Sequence, residues 1–177
     1  MVKKRVLLHI CCGVCGSYCI EKLIEENFEV TGFFFNPNIH PEEEFLRRKK
    51  VVEKLQQLYK INIIFPTYDP SLWIKLCEDL KDEPERGKRC HLCYKIRLQE
   101  TFNNISKLNC ELFTTTLTIS PHKNSKIIFE IAESINKEKF LKIDFKKKDG
   151  FKKTIEFAKK NDFYIQNYCG CIYNIKK

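Results

Sequence analysis

Arg5-Val6-Leu7-Leu8-His9-Ile10-Cys11-Cys12-Gly13-Val14-Cys15-Gly16-Ser17 is the stretch that decides the fold. Arg5 to Ile10 reads as a buried strand, and it runs directly into a loop of cysteine and glycine that opens a helix from Ser17 to Asn27. The same alternation continues outward. Glu29 to Phe35 is a second strand, rich in β-branched and aromatic residues. Pro41 to Tyr59 is a long helix, with Pro and three Glu residues at its positively polarised first turn, and Ile61 to Phe65 is a third strand closed by Pro66. A polar segment from Lys81 to Lys88 leads to Cys90, and Leu92, Ile96 and Phe102 then fall at helical spacing within Leu92 to Ile105. Glu111 to Thr116 reads as a fourth strand, Asn124 to Ile135 as a helix, Phe140 to Ile143 as a fifth strand and Lys152 to Lys160 as a last helix. Strand alternating with helix implies an α/β fold: a parallel sheet of about five strands flanked by helices, with the site at the carboxyl ends of the strands. Residues 1–177 are expected to form one domain, since 43% are hydrophobic and only 6 Gly and 6 Pro leave little room for a linker.

The loop after the first strand occupies the place where nucleotide-binding α/β proteins hold phosphate on free backbone N–H groups. Here it carries neither a Lys-Ser/Thr ending nor Gly-x-Gly-x-x-Gly. The same positive helix end suits thiolates or an anionic cluster. Sulfur is abundant: of ten cysteines, six fall into Cys11-Cys12, Cys90-x-x-Cys93 and Cys169-Gly-Cys171. The apolar run near the N-terminus is broken by His9 and too short for a signal core, and no segment approaches the ~18 apolar residues of a membrane span. A cytoplasmic location is therefore expected, where clustered cysteines bind metal or do chemistry more often than they brace a fold.

Adjacent cysteines and one distant Cys-x-x-Cys fit a single tetrahedral zinc poorly, because structural zinc sites use two separate knuckles. A polynuclear cluster relaxes that constraint, and four thiolates suit 4Fe-4S. From spacing alone, cluster, zinc and plain buried thiols all remain open. Cys169-Gly-Cys171 can close a small strained disulfide suited to redox turnover, or can stay as two thiols or further ligands. Cys19, Cys77 and Cys110 lie in apolar contexts and read as core packing. The net charge of +9 points to an anionic partner, nucleic acid first, although a composition rich in Lys, Asn and Ile also follows from genome bias.

Five further pieces in order carry a resemblance. They are His9-x-Cys11-Cys12; Asn36-Pro37-Asn38-Ile39-His40-Pro41 with Glu44 and Arg47; Glu83 to Arg89 leading into Cys90-x-x-Cys93-Tyr94-x-x-Arg97-Leu98; Ser120-Pro121-His122-Lys123-Asn124; and Gln166-Asn167-Tyr168-Cys169-Gly170-Cys171. Spanning almost the whole chain, this order closely resembles epoxyqueuosine reductases of the QueH type. The resemblance implies a cobalamin-independent enzyme that reduces epoxyqueuosine to queuosine at the wobble base of tRNA, the last step of queuosine synthesis. It implies a Rossmann-like fold shared with PP-loop ATPases (the HUP-like class), whose pyrophosphate loop is replaced by cysteines. It further implies that Cys11, Cys12, Cys90 and Cys93 hold a 4Fe-4S cluster and that Cys169 and Cys171 form the redox-active disulfide, reset by an external electron donor. Family members vary at the place of Cys15, some having Asp, which suggests that it helps hold an additional iron.

Candidate proton donors are His9, His40, His122, Tyr94 and Asp69; candidate RNA contacts are Arg47-Arg48-Lys49-Lys50, the group Arg86, Lys88 and Arg89, and Lys146 to Lys148. Two other readings stand beside the reductase. A PP-loop-type ATP-dependent tRNA-modifying enzyme would need a Ser-Gly-Gly-x-x-Ser loop, which is absent. A zinc-stabilised RNA-binding module without catalysis would have no use for Cys169-Gly-Cys171.

Overall fold

In the computed structural model, which describes residues 2–175, four strands run parallel in the order β3-β2-β1-β4: β1 (Arg5–His9), β2 (Glu29–Phe33), β3 (Asn62–Ile64) and β4 (Leu112–Thr115). Six α-helices accompany them: α1 (Gly13–Glu25), α2 (Glu42–Tyr59), α3 (Ser71–Cys77), α4 (Lys88–Asn104), α5 (Ser125–Asn136) and α6 (Gly150–Lys160). Side-chain alternation along β1 distributes the core. Val6 and Leu8 enter the layer where α1 packs against α2 and α6, while Leu7 enters the layer shared by α4 and α5. Buried on both faces, β1 carries no polar residue between Arg5 and His9.

The sheet has four strands where about five were expected. Phe140 makes a single parallel bridge to Phe113, and the ladder stops there. The next carbonyls are taken by side chains instead: Thr114 Oγ1 donates to Leu141 O at 2.8 Å and Thr118 Oγ1 to Ile143 O at 3.0 Å. These hydroxyls satisfy the segment without a strand partner. Two helices also begin earlier than periodicity suggests. Helix α1 starts at Gly13, whose missing side chain matters because a Cβ there would lie 2.4 Å from Val51 Cγ1 and 2.9 Å from the Val51 backbone carbon. Helix α4 starts at Lys88 and so contains Cys90 and Cys93.

Helix α3 escaped the sequence reading for a physical reason. Trp73 and Cys77 point inward, but Leu72, Ile74 and Leu76 stay exposed, so apolar residues surround the helix and blur its period. Strand order supplies the site. The chain runs from β1 through β2 to β3 on one side and then returns to β4 on the other, so the loops after β1 and β4 diverge at a topological switch point.

A cysteine-lined candidate active site

Cys11 occupies that switch point. Its backbone N–H donates to Thr116 Oγ1 at 3.0 Å, and the same hydroxyl donates to Cys11 Sγ at 3.1 Å. Cys12 caps α1, its sulfur accepting from the Cys15 N–H at 3.3 Å and from Gln166 Nε2 at 2.8 Å. The Sγ atoms of Cys11, Cys12 and Cys15 all lie within 4.8 Å of one another, which makes the three a potential metal site. Hydrogen bonds from Cys12 and then Cys15 hold the Cys11 thiol well below its usual range, against burial and with help from Lys123 and Arg97. Cys12 and Cys15 are pushed up, chiefly by the same bonds.

Cys90 and Cys93 project from the first turns of α4. Cys90 Sγ accepts from the Arg86 N–H at 3.2 Å, and Arg97 Nη1 lies 3.9 Å from Cys93 Sγ. Burial raises the Cys90 thiol. The third pair is brought to the second: Cys90, Cys93, Cys169 and Cys171 line one cleft, together with Tyr94, Arg97, His122 and Lys123. Lys123 lowers the thiols of both Cys11 and Cys169, so one ammonium serves the switch-point cysteines and the C-terminal pair.

The Cys169-Gly170-Cys171 turn is held by its backbone. Arg48 donates to the carbonyls of Tyr168 at 3.0 Å and Cys169 at 3.3 Å, Asn38 Nδ2 to Cys169 O at 3.4 Å, and the His40 N–H to Gly170 O at 2.7 Å. Gly170 has φ +97°, and a Cβ there would meet Ile39 Cγ1 at 2.9 Å. Within the pair, a hydrogen bond from Cys171 is the main force lowering Cys169 to about 5, with Asn174 and Lys123 adding to it. Cys171 is pushed up, chiefly by the same bond. The result is a nucleophilic thiolate beside a protonated thiol.

Cys19, Cys77 and Cys110 are buried, as expected of core residues, although Cys77 packs with Trp73, Cys93 and Cys171. The candidate proton donors separate. His9 is fully buried between Thr115 Oγ1 at 2.9 Å and Phe35 O at 3.2 Å, and burial lowers it to about 3. Both of its ring nitrogens are engaged within the fold. His40 Nδ1 bonds Asn38 O at 2.9 Å, and Asp69 Oδ1 accepts from the Ser71 N–H as α3 begins. Tyr94 and His122 do line the cleft.

Several expected RNA contacts turn inward. Arg48 is buried on Glu44, and Arg89 donates to the carbonyls of Leu80, Lys81 and Glu83 and to Asn174 Oδ1. Lys146 donates to Thr118 O at 2.9 Å and Lys123 O at 3.2 Å, and also bonds Ser125 Oγ, pinning the loop that carries His122 and Lys123. Arg86, Lys88, Lys147 and Lys148 remain exposed. Roles for Asn36, Arg97, Gln166 and Thr116 were invisible to periodicity, because polar residues that organise a site keep no period. Asn36 bonds Ile10 O at 2.9 Å and receives Arg97 Nη2 at 2.7 Å, tying α4 to the end of β1.

Comparison with known proteins shows the family. A family model described as epoxyqueuosine reductase QueH matches residues 6–177. The chain is 34% identical to the epoxyqueuosine reductase QueH of Streptococcus pyogenes serotype M1, over 99% of this chain and 72% of that protein. It is 32% identical to that of Thermotoga maritima, over 96% of this chain and 90% of that protein. With the Staphylococcus epidermidis protein of the same name it shares 33% identity, over 99% and 78%. Among the described residues, no helix is long and apolar enough to cross a membrane.

Proposed function

Because this chain belongs to the epoxyqueuosine reductase QueH family, we propose that its single domain, residues 1–177, reduces epoxyqueuosine to queuosine at the wobble base of tRNA. The enzyme is an oxidoreductase. In this reading it is an iron-sulfur protein of the cytoplasm, works without cobalamin, and takes electrons from an external donor. The observation that carries the reading is the meeting of two thiol pairs, Cys90 with Cys93 and Cys169 with Cys171, in one cleft whose Lys123 also acts on Cys11.

The donor set suits a 4Fe-4S group. Four thiols, Cys11, Cys12, Cys90 and Cys93, come from the start of α1 and the first turns of α4, where unpaired N–H groups and the helix dipole favour negative sulfur. Arg97 and Lys123 add positive charge beside them. Cys15, within 4.8 Å of Cys11 and Cys12, is the residue available to an additional iron. Such a group, when bound, supplies an electron store and a Lewis acid for an epoxide oxygen.

Deoxygenating an epoxide to an alkene consumes two electrons and two protons and releases water. Oxidation of the Cys169 thiolate and the Cys171 thiol to a disulfide yields the two electrons and one of the two protons. Cys169 is already a thiolate at neutral pH, so one of the two protons must come from the solution or from a cleft side chain. Lys123 and His122 line the cleft and are the cationic and imidazole groups placed to pass it to the departing oxygen. Lys146 keeps their loop in place. A wobble base flipped out of its loop enters the cleft in this reading, with the exposed Arg86 lining it for a backbone phosphate.

Anaerobically purified protein tests this reading. The expected result is about four or more irons with acid-labile sulfide per chain, and conversion of epoxyqueuosine tRNA over many turnovers. The Cys169→Ser/Cys171→Ser double variant is expected to keep the iron absorption and lose multiple turnover. One zinc, no sulfide and no conversion would favour a zinc-stabilised RNA-binding module instead.

A further inference from the structure

Eight residues, Lys146 to Lys153, carry five Lys against one Asp, a net +4 of the chain's +9. A compositional bias would spread its lysines along the chain, whereas this charge is gathered at one place in the fold. Lys146 turns inward to the carbonyls of Thr118 and Lys123. The other four, Lys147, Lys148, Lys152 and Lys153, are exposed, with Asp149 as the single acid between them. Lys152 reaches Glu156 at 4.0 Å, but those side chains are 75% and 63% exposed, so the pair is weak. Helix physics opposes the placement. The first turn of α6 contains Lys152 and Lys153 and no acidic residue, at the end of the helix where the dipole favours Asp or Glu. Positive charge held there against local stability suits an anionic partner.

The patch adjoins the cleft. Lys147 and Lys148 follow directly on Lys146, which holds the backbone of Lys123, and Lys123 lines the cleft with His122. The segment Lys81 to Lys88, which brings Glu85 and Arg86 to the same cleft, is different: Lys81, Arg86 and Lys88 are balanced there by Asp82, Glu83 and Glu85. Of these two flanks, only the α6 side draws a polyanion by its net charge. We propose that Lys147, Lys148, Lys152 and Lys153 form the docking surface for the sugar-phosphate backbone of tRNA, beside the cleft that the wobble base enters. This rests on the reductase reading and deepens it, naming the face of the protein on which that substrate lies. Ammonium groups on phosphates supply affinity without reading sequence, so the choice of base is left to the cleft.

Binding of the unmodified tRNA, with guanine at the wobble position, tests the surface without relying on catalysis. In Lys147→Gln/Lys148→Gln/Lys152→Gln/Lys153→Gln the four charges go and helix propensity is kept. The slope of log Kd against log salt, read by fluorescence anisotropy, should fall by about 3, and Kd at ~0.15 M salt should rise by about tenfold or more. With the dipole conflict removed, the variant should melt no lower than wild type. The control Lys3→Gln/Lys4→Gln/Lys137→Gln/Lys139→Gln removes as much exposed charge before β1 and after α5, and should change the slope by less than about 1. An unchanged slope in the first variant would overturn the surface. Equal losses in both variants would do the same, since net charge alone would then account for binding. Wild-type protein that binds tRNA through these lysines yet reduces no epoxyqueuosine would sink the reductase reading and leave the docking surface standing.

Discussion

Replacing Arg48 by Met should unsettle the Cys169-Gly170-Cys171 turn without touching a cysteine. Arg48 is 3% exposed, and its guanidinium binds Glu44 Oε1 at 2.6 Å, Tyr168 O at 3.0 Å and Cys169 O at 3.3 Å, with the Tyr168 ring at 5.1 Å. Met keeps the length and the apolar stem but leaves Glu44, itself 5% exposed, without its buried partner. Breaking a buried pair typically costs about 3–5 kcal/mol. Glu44 retains the Tyr164 hydroxyl at 2.9 and 3.1 Å and Arg47 at 3.6 Å, so the lower end, about 3 kcal/mol, is the expected cost. For a chain of this size that lowers the melting temperature by about 6–12 °C.

Loss of the guanidinium from the Tyr168 and Cys169 carbonyls, the second of which keeps Asn38 Nδ2, should also slow turnover, because the thiols then sample geometries away from the cleft. Thermal scans of anaerobically purified wild type and variant, run at one rate, measure the first effect; multiple-turnover assays measure the second. Glu44→Gln/Arg48→Met should recover part of the stability by removing the stranded charge, yet none of the turnover, since the turn still lacks the guanidinium. A variant that melts within about 2 °C of wild type, a shift worth only ~1 kcal/mol, and turns over normally would refute the clamp.

Two more outcomes follow from the same site. Cys169 is lowered to about 5, so its thiolate persists above that pH; iodoacetamide labelling of Cys169 should stay nearly level from pH 8 to pH 6 and fall below about pH 5. An ordinary thiol near pKa 8.5 would lose about tenfold per pH unit over that range, and mass spectrometry of the labelled peptide distinguishes the two profiles. Lys146→Met removes the bonds to Thr118 O, Lys123 O and Ser125 Oγ, and should reduce kcat several-fold while iron content is unchanged. Equal kcat in that variant would show that the His122-Lys123 loop holds its place without the ammonium.

Much of this architecture is local, and local features are legible in a sequence. Val6-Leu7-Leu8 between charged and cysteine-rich flanks marks a doubly buried strand; alternating strands and helices then require parallel pairing, because a helix returns the chain to the same edge. Cysteine spacing likewise advertises thiol chemistry before any coordinates. What the sequence did not contain was which groups meet. Phe140 to Ile143 has strand composition, but the hydroxyls of Thr114 and Thr118 captured its carbonyls, an outcome decided by residues more than 20 positions away. Arg48 and Lys146 read as candidate RNA contacts, yet each is drawn inward by carbonyls that only the fold brings near. His9 had the look of an acid-base group until a strand and a loop from elsewhere closed over it. Periodicity reports which face of an element is apolar; it carries no information on contacts between elements, and the cleft joining Cys90 to Cys169 is made of those contacts alone.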